Sequence, residues 1–145
     1  MDRLGKMEDI DMALSRTKAI FRYNVQEVWD VVTSLEKYQW RSDLSKIDII
    51  NEKQFIEYTK DGYATTFTTT IIEPLRRWEF DMENSNMKGH WTGIFTSKDE
   101  GTEVDFTEDV TVKKIIMKPF VKLFLKKQQE LYINNLTKEL ERVYE

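Results

Sequence analysis

Two ionisable residues of this chain sit where they could do chemistry, and the usual catalytic sets are missing around them. His90 is the only histidine, so any imidazole acid or base has to be this one. A metal site with several imidazole ligands is excluded by that count, and thiolate sites and disulfides by the absence of cysteine. No Gly-x-Ser-x-Gly turn offers an activated serine, and the five glycines are too scattered to cradle a phosphate. Neither a metal nor a cofactor is expected. The second residue is Glu108, within the alternating run Val104, Phe106, Glu108, Val110. A carboxylate among inward apolar side chains must be solvated, paired or protonated, and perturbed acids concentrate at functional sites.

The elements that would position these residues are legible in the hydrophobic period. Ile10 to Phe21 reads as a strand. Asn24 then offers an N-cap with Glu27 three residues on, and Val25, Val28, Trp29 and Val32 follow at helical spacing, predicting a helix from Val25 to Ser34. Leu35 to Asp43 reads as a second short helix or an ordered loop holding Tyr38 and Trp40. From residue 46 the period becomes two, and six strands follow.

Two turns set the registers. A two-residue Asp61-Gly62 loop would pair Tyr58 with Thr65 and Ile56 with Phe67, leaving Glu57 on the opposite face. A two-residue Glu100-Gly101 loop would set Phe95 against Phe106, Gly93 against Glu108 and Trp91 against Val110. The inner row Phe80–Gly93–Glu108 then has space beside the carboxyl, because glycine supplies no side chain. The same register turns His90 outward with Thr92, Asp109 and Thr111. Beyond Thr111 the period is helical, with Pro119 suited to a first turn. Phe120, Leu123, Phe124, Leu131, Leu136, Leu140 and Val143 form the expected core stripe of a helix of about 26 residues, roughly 39 Å long.

Composition bounds the partners. Apolar residues at 40% and charged residues at 33% suit a folded domain, and 12% aromatics with four tryptophans suit either a ring-filled core or a site for an apolar ligand. The net charge of −4 argues against nucleic acid. Residues 113–127 nevertheless carry six lysines and no acid, leaving 16 basic against 26 acidic residues elsewhere. This segment admits transient contact with a membrane surface, weighed against a core helix whose solvent face is rich in lysine. The N-terminus lacks the apolar run of a signal peptide and no stretch is long enough to span a bilayer, so a cytoplasmic location is expected.

In the order strand, short helix, six strands, long helix, the chain resembles the START-like, helix-grip superfamily, also called SRPBCC, and within it the bacterial polyketide cyclase/dehydrase-like proteins. The resemblance is carried by NVQEVWDVVTSLEKYQW, RRWEF, GTEVDFTEDV and MKPFVKLFLKK, and covers Asp11 to Leu140. It implies a single α+β domain over 1–145, with the first ~9 residues as a candidate disordered lead. It also implies a seven-stranded curved antiparallel sheet wrapped around the C-terminal helix, with a cavity between them. The expected ligand-binding wall is Trp40, Tyr58, Phe67, Trp78, Phe80, Trp91, Gly93, Phe106, Phe120 and Phe124, with Glu108 as polar anchor. The expected function is binding of a lipid- or polyketide-like molecule by a monomer or homodimer. The alternatives are a metal-free cyclase or dehydratase using Glu108 as acid or base with Tyr58, and a structural or stress-response domain whose cavity is filled.

Overall fold

A computed structural model describes residues 12–145. The expected strand start at Ile10 and the lead segment before it lie outside the described residues. Seven strands form one antiparallel sheet: β1 Met12–Phe21, β2 Leu44–Ile49, β3 Gln54–Thr59, β4 Ala64–Glu73, β5 Arg77–Glu83, β6 Met87–Lys98 and β7 Gly101–Val112. Their spatial order is β1-β7-β6-β5-β4-β3-β2, so β1 crosses to pair with β7 while the rest form a meander. Helix α1, Val25–Thr33, follows β1, and helix α2, Lys118–Tyr144, closes the fold behind a 3-10 turn over Ile115–Met117. The curved sheet and long terminal helix make this a helix-grip α+β fold.

The first helix forms as its sequence dictates. The Asn24 side chain accepts from the Glu27 N–H and the Glu27 carboxylate accepts from the Asn24 N–H, satisfying two otherwise orphaned donors. Val28, Trp29, Val31 and Val32 are buried, with the Trp29 ring edge-on to Phe95 at 4.9 Å. The segment after it, from Leu35 to Asp43, is an irregular loop rather than a second helix.

Both hairpins depart from their expected registers, with different consequences. In β3–β4 the loop has three residues, Lys60, Asp61 and Gly62: Thr59 faces Tyr63, and Gly62 takes the positive φ of 81° that glycine tolerates. Phe55 therefore pairs with Phe67 and Glu57 with Thr65. That one-residue slip exchanges the faces. Phe55 and Glu57 turn inward, and Tyr58 turns to the outer face, where the Lys46 ammonium lies 4.6 Å from its ring centroid. In β6–β7 the loop is Asp99-Glu100, since Lys98 pairs with Gly101. This moves the pairing by two, so the faces survive and only the neighbours change. Glu108 lies opposite Trp91 and, across β1, opposite Ser15.

Helix α2 grips the sheet by Leu136 and Leu140 of the expected stripe, but by other residues in its first turns. Val121, Leu125, Gln129, Leu136 and Leu140 are buried, whereas Phe120, Leu123, Phe124 and Val143 are exposed. In the first two turns apolar residues occur on all sides, so the periodicity is ambiguous there. The polar member of the stripe is held in place by the sheet: the Ser15 hydroxyl donates to Gln129 Oε1 at 2.8 Å, and Gln129 Nε2 donates to the Ser15 carbonyl at 3.0 Å.

Candidate functional site: a cavity with a desolvated carboxyl

Between the sheet, the loop after α1 and helix α2 lies a cavity of about 520 Å³. Its apolar wall comes from alternate residues of adjacent strands. Phe55 stacks on Phe67 at 5.0 Å, Phe80 stacks on Trp91 at 4.7 Å, and Trp78 meets both Phe80 and Trp91 edge-on. These packed rings fix one another's orientation, which makes the wall rigid. The Trp78 indole N–H is spent on the Thr69 hydroxyl at 3.1 Å, so this wall is uniformly apolar.

The polar side lies where the loop carrying Trp40 and Arg41 meets β3, β7 and α2. Arg41 donates from Nη2 to Asp43 at 3.2 Å and from Nη1 to Glu57 at 3.3 Å, with Tyr132 stacked 4.9 Å from its guanidinium carbon. Burial works against the Arg41 charge, but Glu57 and Asp43 outweigh it and hold the guanidinium pKa above its ordinary value. Burial pushes the Tyr132 hydroxyl up as well. The Trp40 indole N–H is buried with no acceptor among the described residues.

Glu108 borders the same space. No side chain among the described residues hydrogen-bonds to its carboxyl. Desolvation pushes its pKa up to about 7; the Arg41 charge opposes that shift and the Glu57 charge adds to it. With its pKa raised towards neutrality, both its acid and its carboxylate form are accessible, and it can donate as the first and accept as the second.

Of the residues expected to line the cavity, Trp40, Phe67, Trp78, Phe80, Trp91, Glu108 and Phe124 do so, Phe124 from an exposed position on α2. Four do not. Tyr58 faces outward through the hairpin slip, and Phe120 is exposed at the start of α2 without reaching the cavity. Phe106 is buried in the core, with Trp91 and Tyr132 packed against it. Gly93 leaves no open space, because the Trp91 indole lies over it: a Cβ there would sit 2.3 Å from a ring carbon. Sequence reasoning missed the charged group of Arg41, Asp43 and Glu57. A three-residue loop ending in Gly62 was the one signal that could have brought Glu57 inside.

His90 is on the outer face, as its alternation implies. Nδ1 lies 2.7 Å from Asp81 and Nε2 2.6 Å from Glu79, so only the imidazolium can donate to both. Burial lowers the His90 pKa, but the two carboxylates outweigh it and raise the value. Glu79, itself buried, is held below the usual carboxylate range against its desolvation by hydrogen bonds from His90 and Arg77. This group is an ion-pair network on the sheet's back, remote from the cavity. Among the described residues no cluster of His, Cys, Asp or Glu could hold a metal ion.

Residues 12–145 match the model of the family described as polyketide cyclase / dehydrase and lipid transport. The chain belongs to this family. Solved structures with the same fold include the ZhuI aromatase/cyclase from a Streptomyces species, at 13% identity and a TM-score of 0.79 over 92% of this chain and 96% of that one. A START superfamily protein from Mycobacterium smegmatis shares 17% identity at a TM-score of 0.75, over 91% and 98% of the two chains. A conserved protein from Geobacillus kaustophilus shares 15% identity at a TM-score of 0.78, over 90% and 96%. No sequence match was found among curated proteins. Likeness at these identities establishes the shared fold, and family membership supports a ligand-binding or cyclase role in general terms.

Proposed function

We propose that this protein binds an amphipathic small molecule, polyketide- or lipid-like, apolar along most of its length and carrying a hydrogen-bonding group at one end. The observation that carries this reading is the unpartnered, desolvated Glu108 carboxyl at the edge of an aromatic-walled cavity. A volume of about 520 Å³ falls in the range that takes a small organic ligand. The stacked rings of β3 to β6 would receive the apolar body. Glu108, the Trp40 N–H and the Tyr132 hydroxyl would meet the polar end. The open volume argues against the reading as a structural domain with a filled cavity. A single domain acting in the cytoplasm is part of the proposal.

The test is titration with a fluorescent apolar probe such as N-phenyl-1-naphthylamine, followed through probe emission and quenching of the cavity tryptophans. Thr65 borders the cavity on β4. Thr65→Phe should fill the space and abolish saturable binding while leaving the melting transition near that of the parent. Unchanged binding in that variant would put the probe on the surface and sink the reading. Native mass spectrometry of gently purified protein, with organic extraction, then identifies any molecule carried by the cavity.

The Glu108 pKa of about 7 favours a second reading, a cyclase- or dehydratase-like reaction with Glu108 exchanging protons at neutral pH. The helper hydroxyl in that reading is Tyr132, since Tyr58 faces away. Glu108→Gln would then abolish turnover while leaving binding of a wholly apolar probe intact.

A further inference from the structure

The start of helix α2 carries more apolar surface than the grip uses. Ile115 and Ile116 are 78% and 77% exposed, Phe120 67%, Leu123 58% and Phe124 47%. The core contact of the same stretch is made by Val121 and Leu125. Phe120 with Leu123, and Phe120 with Phe124, are spaced three and four residues apart, so they are neighbours on one helix surface. Ile116 lies one further turn back. Large side chains exposed together are uncommon on a soluble surface and mark sites of association.

The charge around them selects the partner. Lys114, Lys122 and Lys127 are exposed, and their ammonium groups have no ion-pair or hydrogen-bond partner among the described residues. Lys113 is engaged with Glu83 at 2.8 Å, and the Lys126 ammonium donates to the Arg16 carbonyl, which keeps its charge uncompensated. No acid occurs from 113 to 127, although the chain as a whole is negative. A two-fold contact between copies of this face would set lysine against lysine, because such an interface is self-complementary. An anionic bilayer meets both demands, taking isoleucine and aromatic side chains into the acyl boundary and lysines among the headgroups.

We infer that Ile115, Ile116, Phe120 and Leu123, flanked by Lys114, Lys122 and Lys127, form a docking surface for membranes containing anionic lipid. Its position gives the docking a use. Met117, Phe124 and Leu125 line the cavity from the same stretch, so a docked molecule would hold its cavity rim at the headgroup layer. The inference stands whatever the cavity holds: Thr65→Phe, which blocks the cavity, should leave docking unchanged.

The experiment is co-sedimentation with vesicles of phosphatidylcholine alone or with about 30% phosphatidylglycerol, at about 50 and 300 mM NaCl. Binding should require the anionic lipid and weaken with salt. Lys122→Ala and Lys127→Ala should each lower affinity about fivefold. Ile116→Asp and Phe120→Asp, both at exposed positions, should abolish sedimentation with an unchanged circular dichroism spectrum and melting curve. Absence of binding to anionic vesicles at low salt overturns the inference, as does equal binding to neutral ones. So does a dimer in sedimentation velocity that Phe120→Asp dissociates, which would assign the face to a second copy.

Discussion

Glu108→Gln isolates the desolvation on which the cavity reading rests. The substitution keeps the shape of the protonated acid and removes its ionisation. With a folded pKa near 7 against an ordinary 4.5, the native state holds a proton that the unfolded chain releases between those values. The parent therefore loses stability as pH rises from about 4.5 through 7, because ionisation is easier in the unfolded state. A difference of about 2.5 units at 1.36 kcal/mol per unit is about 3 kcal/mol when fully developed. Between pH 5 and 8 the variant should gain about 2 kcal/mol relative to the parent, starting from near equality at acid pH. Urea unfolding followed by tryptophan fluorescence, with parent and variant measured at each pH, cancels the contributions of every other acid. A difference that stays flat from pH 5 to 8 would mean that Glu108 ionises like a surface carboxylate. The carboxyl would then be well hydrated, and both the polar-anchor role and the acid–base alternative would lose their basis.

Gly93→Ala should force the Trp91 indole off the backbone it covers and toward the cavity, costing about 1–3 kcal/mol in urea and reducing the capacity for the apolar probe; parent-like stability with parent-like binding would contradict this packing. His90 should titrate above 6.5, its folded value being raised, and as the only histidine it gives one unambiguous NMR resonance. The stability it contributes is present below 6.5 and is lost as pH rises through the folded value, so His90→Gln should be the less stable protein only at the acid end, by under about 1 kcal/mol for so accessible a network. A midpoint at or below 6.5 would show that the two carboxylates do not hold the imidazolium.

The sequence carried the local chemistry of this fold well. Asn24 and Glu27 specify a helix start through groups three residues apart, and Trp78, Phe80 and Met82 alternate with charged residues so cleanly that the apolar face had to turn inward, although Glu79 on the other face is buried too, in its ion-pair network. The inward placement of Glu108 and the outward placement of His90 were also legible, because an error of two in a hairpin leaves the faces alone. The β3–β4 hairpin shows where such reading stops. Along the strand the face of Ile56 and Tyr58 is the more apolar one, against Phe55 and Glu57, so the hydrophobic pattern favoured the register that the structure does not adopt. The preference for the adopted register came from Phe55 stacking on Phe67 within the aromatic wall, together with the ion pair that gives the inward Glu57 a partner in Arg41.

The same distinction holds for the long helix. Periodicity placed Leu136 and Leu140 in the core, and no local rule could say which apolar residues of the first two turns would face the sheet. Shape decided that: the curved sheet accepts Val121 and Leu125 and leaves Phe120 and Leu123 outside. The elements, their order and the side of the sheet on which each strong alternation lies follow from neighbours along the chain and can be read there. Which polar groups share the cavity, and which apolar ones remain exposed, depends on the folded arrangement. Arg41, Glu57, Glu108 and Tyr132 are far apart in sequence, and desolvation and Coulomb interaction depend on distance in space.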